Sequence, residues 1–180
     1  MIFRKTAISG LFEVVLQRHE DDRGAFARTF CQAEFAAHGL LGEFVQASTS
    51  WNLRAGTLRG MHFQRAPHAE GKLVRCVRGA IHDVVADLRR GSPTFMRWQA
   101  FTLREDGDTQ LYIPPGCAHG FLTLRDRTEV LYQMTLAFVA EAGSGFRFDD
   151  AAFGIVWPAP AAIVSDKDLA WPSLSETALA

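Results

Sequence analysis

The chain has 180 residues, is 48% hydrophobic and 22% charged, and carries a formal net charge of −1. Those values describe an ordinary globular protein, long enough to bury roughly 70% of its unfolded-chain surface without staples. They exclude a global basic field for nucleic acid. No run approaches the 18 apolar residues of a membrane span. The three cysteines, Cys31, Cys76 and Cys117, are odd in number and lack C-x-x-C spacing, and "MIFRKTAISG" has no long apolar core. A cytosolic protein with reduced thiols is therefore expected. Sixteen arginines stand against three lysines, so Lys5, Lys72 and Lys167 become worth following.

In chain order, "LFEVVLQ" (11–17) predicts a strand ending at the polar turn "HEDDRG". "CQAEFAAHG" (31–39) predicts the one clear helix, with Phe35 four residues after Cys31 and Gly39 as its stop. Then come "EFVQASTSW", "TLRGMHFQ", "KLVRCVRG", "AIHDVVADLR", "FMRWQAFTLR", "TQLYIPPG", "AHGFLTLRD" and "EVLYQMTLAF". Each is rich in strand-forming residues and bounded by Gly, Pro or Asp. Short strands at even intervals predict an all-β sandwich or barrel in one domain, residues 1–180. The Pro- and Ala-rich tail should wrap it in short helical turns.

Residues two apart on a strand share a face. That groups His62 with Gln64, Lys72 with Val74 and Cys76, His119 with Phe121, and Tyr132 with Val130 and Met134. A lysine and two histidines pointing into a barrel need partners, because an uncompensated buried charge costs several kcal/mol. "IPPGCAHGF" resembles the second half of the cupin signature. In metal-binding cupins the first half supplies His-x-His and a glutamate. Here those places hold His62, Gln64 and Lys72, the last with six residues between it and Gly79. An ammonium has no lone pair to give a metal, so no metal site is expected.

Such a pocket suits a ketone. An ammonium stabilises the developing enolate, a neutral histidine takes the α-proton, and a phenol on the opposite side returns one with inversion. Asp83, Asp87, Asp149, Asp150, Asp166 and Asp168 are all candidates for the carboxylate that orients the histidine. His19, His38, His68 and His82 are expected to be structural.

The stretches "DDRGAFARTF", "TLRGMHFQ", "GKLVRCVRGAIHDVVADLRRGSPTF", "LYIPPGCAHGFLTL", "EVLYQM" and "IVWPAPAAIVSDKD" together resemble the dTDP-4-dehydrorhamnose 3,5-epimerase family of cupins. The resemblance spans roughly residues 20 to 168. It implies a jelly-roll homodimer needing no metal or organic cofactor. The implied reaction is epimerisation at C3 and C5 of a nucleoside-diphosphate 4-keto-6-deoxyhexose. By motif, His62 is the base, Asp168 its carboxylate, Lys72 the enolate-stabilising cation and Tyr132 the proton donor. Phosphate and sugar contacts fall on Arg23, Gln46, Arg59, His119 and Lys167, and Phe138 stacks on the nucleobase. The chain departs from the family pattern at Arg28, where a glutamate is usual, at Ser48 in place of asparagine, and at Gly143 near another usual glutamate. All three positions are expected at the ligand. The departures leave open a different nucleotide or hexose, or a monofunctional 3- or 5-epimerase. A non-catalytic nucleotide-sugar-binding cupin and a metal-dependent cupin are the remaining alternatives.

Overall fold

A computed structural model describes residues 1–174; the end of the expected domain, residues 175–180, lies outside the described residues. The strands are β1 (Ile2–Lys5), β2 (Phe12–Val15), β3 (Arg18–Asp21), β4 (Gly24–Ala27), β5 (Gln46–Asn52), β6 (Leu58–Gln64) and β7 (Lys72–Arg78). They continue with β8 (Ala80–Asp87), β9 (Trp98–Arg104), β10 (Thr109–Ile113), β11 (Cys117–Thr123), β12 (Thr128–Met134) and β13 (Gly143–Gly145). Two short helices complete the set, α1 (Gln32–Ala37) and α2 (Asp166–Leu169). A six-stranded sheet in the order β1-β2-β10-β7-β12-β5 faces a five-stranded sheet in the order β13-β6-β11-β8-β9. Neighbouring strands are antiparallel. This is the expected jelly roll.

The inner faces meet in a core of Val74, Cys76, Ile81, Val85, Leu103, Leu111, Ile113, Phe121 and Val130. Alternation on each strand supplies these residues. Both outer faces are also covered. Phe35 of α1 is fully buried against Phe12, Val14, Leu73 and Tyr112. On the other side, Phe146, Phe153 and Leu174 of the C-terminal region pack on Met61, Val84 and Ala118. The tail therefore wraps the barrel as expected, with α2 as its helical turn.

Three elements differ from the sequence expectation. The segment "HEDDRG" is more than a turn: Arg18–Asp21 and Gly24–Ala27 pair as a hairpin with Asp22-Arg23 at its tip. The expected strand at 11–17 is not the first: β1 precedes it and pairs with β2 on one side, with β10 on the other. β12 ends at Met134, so residues 135–138 leave the sheet and carry Phe138 away from the strand.

The "DLRRGSPT" corner is held by one fully buried carboxylate. Asp87 accepts from Arg89 Nε at 2.8 Å and Nη2 at 2.8 Å, from Ser92 Oγ at 2.5 Å and from Thr94 Oγ1 at 2.6 Å. Burial works against its charge, but these donors outweigh it and bring the carboxyl down to about 2 from 3.8. Because the folded value is depressed, the stabilisation is complete above pH 3.8 and drains as pH falls towards about 2. Asp87→Ala strands Arg89 and two hydroxyls and should cost about 3 kcal/mol at neutral pH. Urea unfolding at pH 7 and across the acid range checks both statements.

Candidate active site

Strands β6, β7 and β12 aim His62, Gln64, Lys72, Tyr132 and Met134 into one cavity of about 360 Å³, together with Ser48, Phe63, Glu70, Phe138, Gly143, Lys167 and Trp171. That volume suits a sugar and part of its carrier. An adjoining recess of about 270 Å³ shares Ser48, His62, Lys72 and Tyr132 and adds Arg59 and His119. Strict alternation would put Arg59 and His62, three apart, on opposite faces. They share the recess because β6 carries an extra residue against β11. His62 pairs with His119 and Arg59 with Phe121, so four residues face three. Gly60 makes this possible: its φ is +144°, and a Cβ there would lie 2.6 Å from Gly120 Cα.

Of the six aspartates left open by the sequence, Asp168 partners His62. Ser165 caps α2 and accepts from Asp168 N–H at 3.1 Å, which turns the Asp168 side chain inward to 4% exposure. His62 Nε2 lies 2.6 Å from Asp168 Oδ1, and Gly60 N–H donates to Oδ2 at 3.4 Å. Burial opposes the Asp168 charge, yet the hydrogen bonds from His62, Gly60 and Trp171 hold its carboxyl below the ordinary carboxylate value. An ionised carboxylate only accepts, so His62 Nε2 carries the proton and Nδ1 keeps the lone pair. Asp83 takes a different histidine: its Oδ2 lies 2.7 Å from His119 Nε2, with both side chains buried.

Lys72 is compensated by Glu70, which the sequence reading missed. Their charged atoms lie 3.0 Å apart, with side-chain exposures of 13% and 7%. Gln64 Nε2 donates to the other Glu70 oxygen at 2.9 Å, and Gln64 Oε1 accepts from Val139 N–H at 2.6 Å. The usable signal was proximity, since Glu70 stands two residues before Lys72, just ahead of β7. Burial pushes the Tyr132 phenol well above its usual value and the Asp83 charge adds to this. Tyr132 therefore stays a neutral donor across the working pH range. Tyr112 lies elsewhere, buried beside Phe35, where its hydroxyl accepts from Leu41 N–H at 3.2 Å.

The remaining expected residues divide. Ser48, Phe138, Lys167, Arg59 and His119 line the two recesses. Gln46 instead props the mouth, its Oε1 accepting from Phe138 N–H at 2.9 Å. Gly143 lies beside the Phe138 ring, where a Cβ would sit 3.5 Å from a ring carbon in ordinary van der Waals contact. Arg23 and Arg28 do not line the cavity. Arg23 sits at the hairpin tip, 90% exposed and paired with Asp21, and Arg28 pairs with Glu34 of α1 at 3.1 Å. Among the expected structural histidines, His38 stacks on Phe3 with centroids 4.0 Å apart, while His82 Nε2 is buried without a hydrogen-bond partner among the described residues.

Residues 5–176 match the family model described as dTDP-4-dehydrorhamnose 3,5-epimerase. A protein of that name from Sinorhizobium fredii is 40% identical over 177 residues, covering 98% of this chain and 91% of its own length. The crystal structure of a dTDP-4-dehydrorhamnose 3,5-epimerase from Bacillus anthracis, with TDP and PPi bound, superposes with a TM-score of 0.92 at 38% identity, covering 96% of this chain and 99% of that one. A 3′-monoepimerase from Streptomyces bikiniensis, solved with dTDP-quinovose, superposes with a TM-score of 0.88 at 32% identity, covering 94% of this chain and 86% of that one. Fold, matched span and relatives agree, and the chain belongs to the dTDP-4-dehydrorhamnose 3,5-epimerase family.

Proposed function

We propose that this nucleotide-sugar epimerase converts dTDP-4-dehydro-6-deoxy-D-glucose to dTDP-4-dehydro-L-rhamnose. The observation that carries the reading is the 2.6 Å His62–Asp168 pair opening on the same cavity as Tyr132 and Lys72. His62 Nδ1 removes the proton α to the C4 ketone, and the electron pair moves onto the ketone oxygen. The Lys72 ammonium stabilises that enolate. Tyr132 then donates its proton to the carbon from the opposite side, which inverts the centre, and solvent restores both groups. Repetition at the second α-carbon gives the double epimer. Arg59, His119 and Lys167 hold the diphosphate and sugar, and the Phe138 ring stacks on the base through its face. A second reading, inversion at one carbon only, is favoured by the likeness to the 3′-monoepimerase, because choice of carbon depends on how the ring is held.

Tyr132→Phe separates the steps. Deuterium should still enter the substrate from D2O while the inverted product falls by at least about a hundredfold, the scale of a lost general acid. Unchanged inversion would remove Tyr132 from the role.

We also propose a cytoplasmic homodimer. Cys31, Cys76 and Cys117 are unpaired thiols, the state a reducing compartment keeps. Phe26 is 73% exposed on the hairpin that carries Arg23, and Arg28 immediately follows that hairpin. All three lie off this chain's own cavity, so they would serve ligand binding through the second copy. Sedimentation at micromolar concentration should give twice the mass of one chain; a monomer would sink the proposal.

A further inference from the structure

Trp171 was not singled out in the sequence, yet its indole joins three parts of the cavity. Its Nε1–H donates to Asp168 Oδ1 at 3.3 Å, the same oxygen that His62 engages at 2.6 Å. Its ring stands 6.2 Å from the His62 ring at 61°. Lys167 Nζ lies 5.6 Å over the indole. The seat for this ring is built from the neighbouring strand. Gly145 pairs with His62 across β13 and β6, and a Cβ at Gly145 would lie 2.6 Å from Trp171 Cε2 and 2.7 Å from Met61 O. Only glycine leaves the ring its place.

From this we propose that Trp171 is a positioning residue that links anion capture to proton abstraction. The N–H restrains the carboxylate that orients His62, and the ring face holds the Lys167 ammonium at the cavity wall, ready for the substrate diphosphate. A cation over an indole face is favourable, and it fixes a side chain that otherwise has high rotamer freedom. The inference rests on the epimerase reading for its catalytic half only.

Two variants separate the two links. Trp171→Phe keeps a ring face and deletes the N–H. Trp171→Leu deletes both. The probe for anion capture is dTDP, titrated calorimetrically without any reaction. Trp171→Phe should bind dTDP within about twofold of the parent, whereas Trp171→Leu should bind about fivefold more weakly, the lower range of a lost cation–π contact. Both variants should lower kcat about tenfold, in Trp171→Phe with no matching loss of dTDP affinity. A merely structural tryptophan would change the melting temperature and leave kcat of folded Trp171→Phe at the parent's value. Parent-like dTDP affinity in Trp171→Leu, or parent-like kcat in a folded Trp171→Phe, overturns the proposal. If the parent itself exchanges no substrate hydrogen, the epimerase reading fails, and the dTDP titrations still decide the Lys167 link.

Discussion

Replacing His62 with asparagine should slow exchange of the substrate's α-hydrogens by about 10³- to 10⁴-fold, the upper range for a general base. Asparagine fills similar space and can still donate to Asp168, so the cavity should survive. Its amide has no basic lone pair to take a carbon-bound proton. Affinity for dTDP should therefore change by less than about threefold, because the proposed diphosphate contacts are Arg59, His119 and Lys167 (RT ln 3 is well under 1 kcal/mol). Asp168→Ala should fall in the same range at the rate level. It also removes the acceptor shared by His62, Gly60 and Trp171, so some loss of stability accompanies it. The measurement is deuterium incorporation under single-turnover conditions beside a dTDP titration. Exchange that persists in both variants would take the base assignment away from the pair.

Lys72→Met should cost about 10²- to 10³-fold in exchange, as losing a charged donor at a developing oxyanion does. It should also cost about 3 kcal/mol of stability, because it leaves the Glu70 carboxylate buried and unpaired. The two effects separate in Lys72→Met/Glu70→Gln. Removing the orphaned charge keeps a hydrogen-bond partner for Gln64 and should return most of the stability. The rate should not return, since the cation is still missing. Recovery of rate in the double variant would mean that the single variant was inactive only because Glu70 had been left unpaired. Urea unfolding and exchange rates on the three proteins decide this.

The jelly roll was legible because its strands obey a period of two and are cut by Gly, Pro and Asp pairs. The helix was legible from Phe35 and Gly39. The strands that escaped are short and mostly exposed, so they carry no buried alternation of their own. The hairpin around Asp22-Arg23 has no apolar face to announce it, and β1 covers β2 through a pairing that no local pattern encodes. In the site, parity correctly grouped His62 with Gln64 and Tyr132 with Met134. Parity alone cannot put Arg59 beside His62, since an extra residue at Gly60 shifts the alternation. The choice of Asp168 among six aspartates came from the motif "SDKD" by resemblance, because 106 residues separate it from His62. Glu70 lies ahead of β7, outside the strand alternation that marks Lys72. The acid two positions earlier is what makes a buried lysine tolerable there. Trp171 stands three residues after Asp168, just past the end of α2, and only the fold shows that Gly145 leaves it a seat.

The most direct test is proton NMR in D2O of the enzyme with dTDP-4-keto-6-deoxy-D-glucose, following the C3 and C5 hydrogens. The proposed double epimerisation predicts loss of both signals with appearance of the L-rhamno product. Persistence of either hydrogen would contradict it: one retained signal would make the chain a monofunctional epimerase, and two would deny it this substrate.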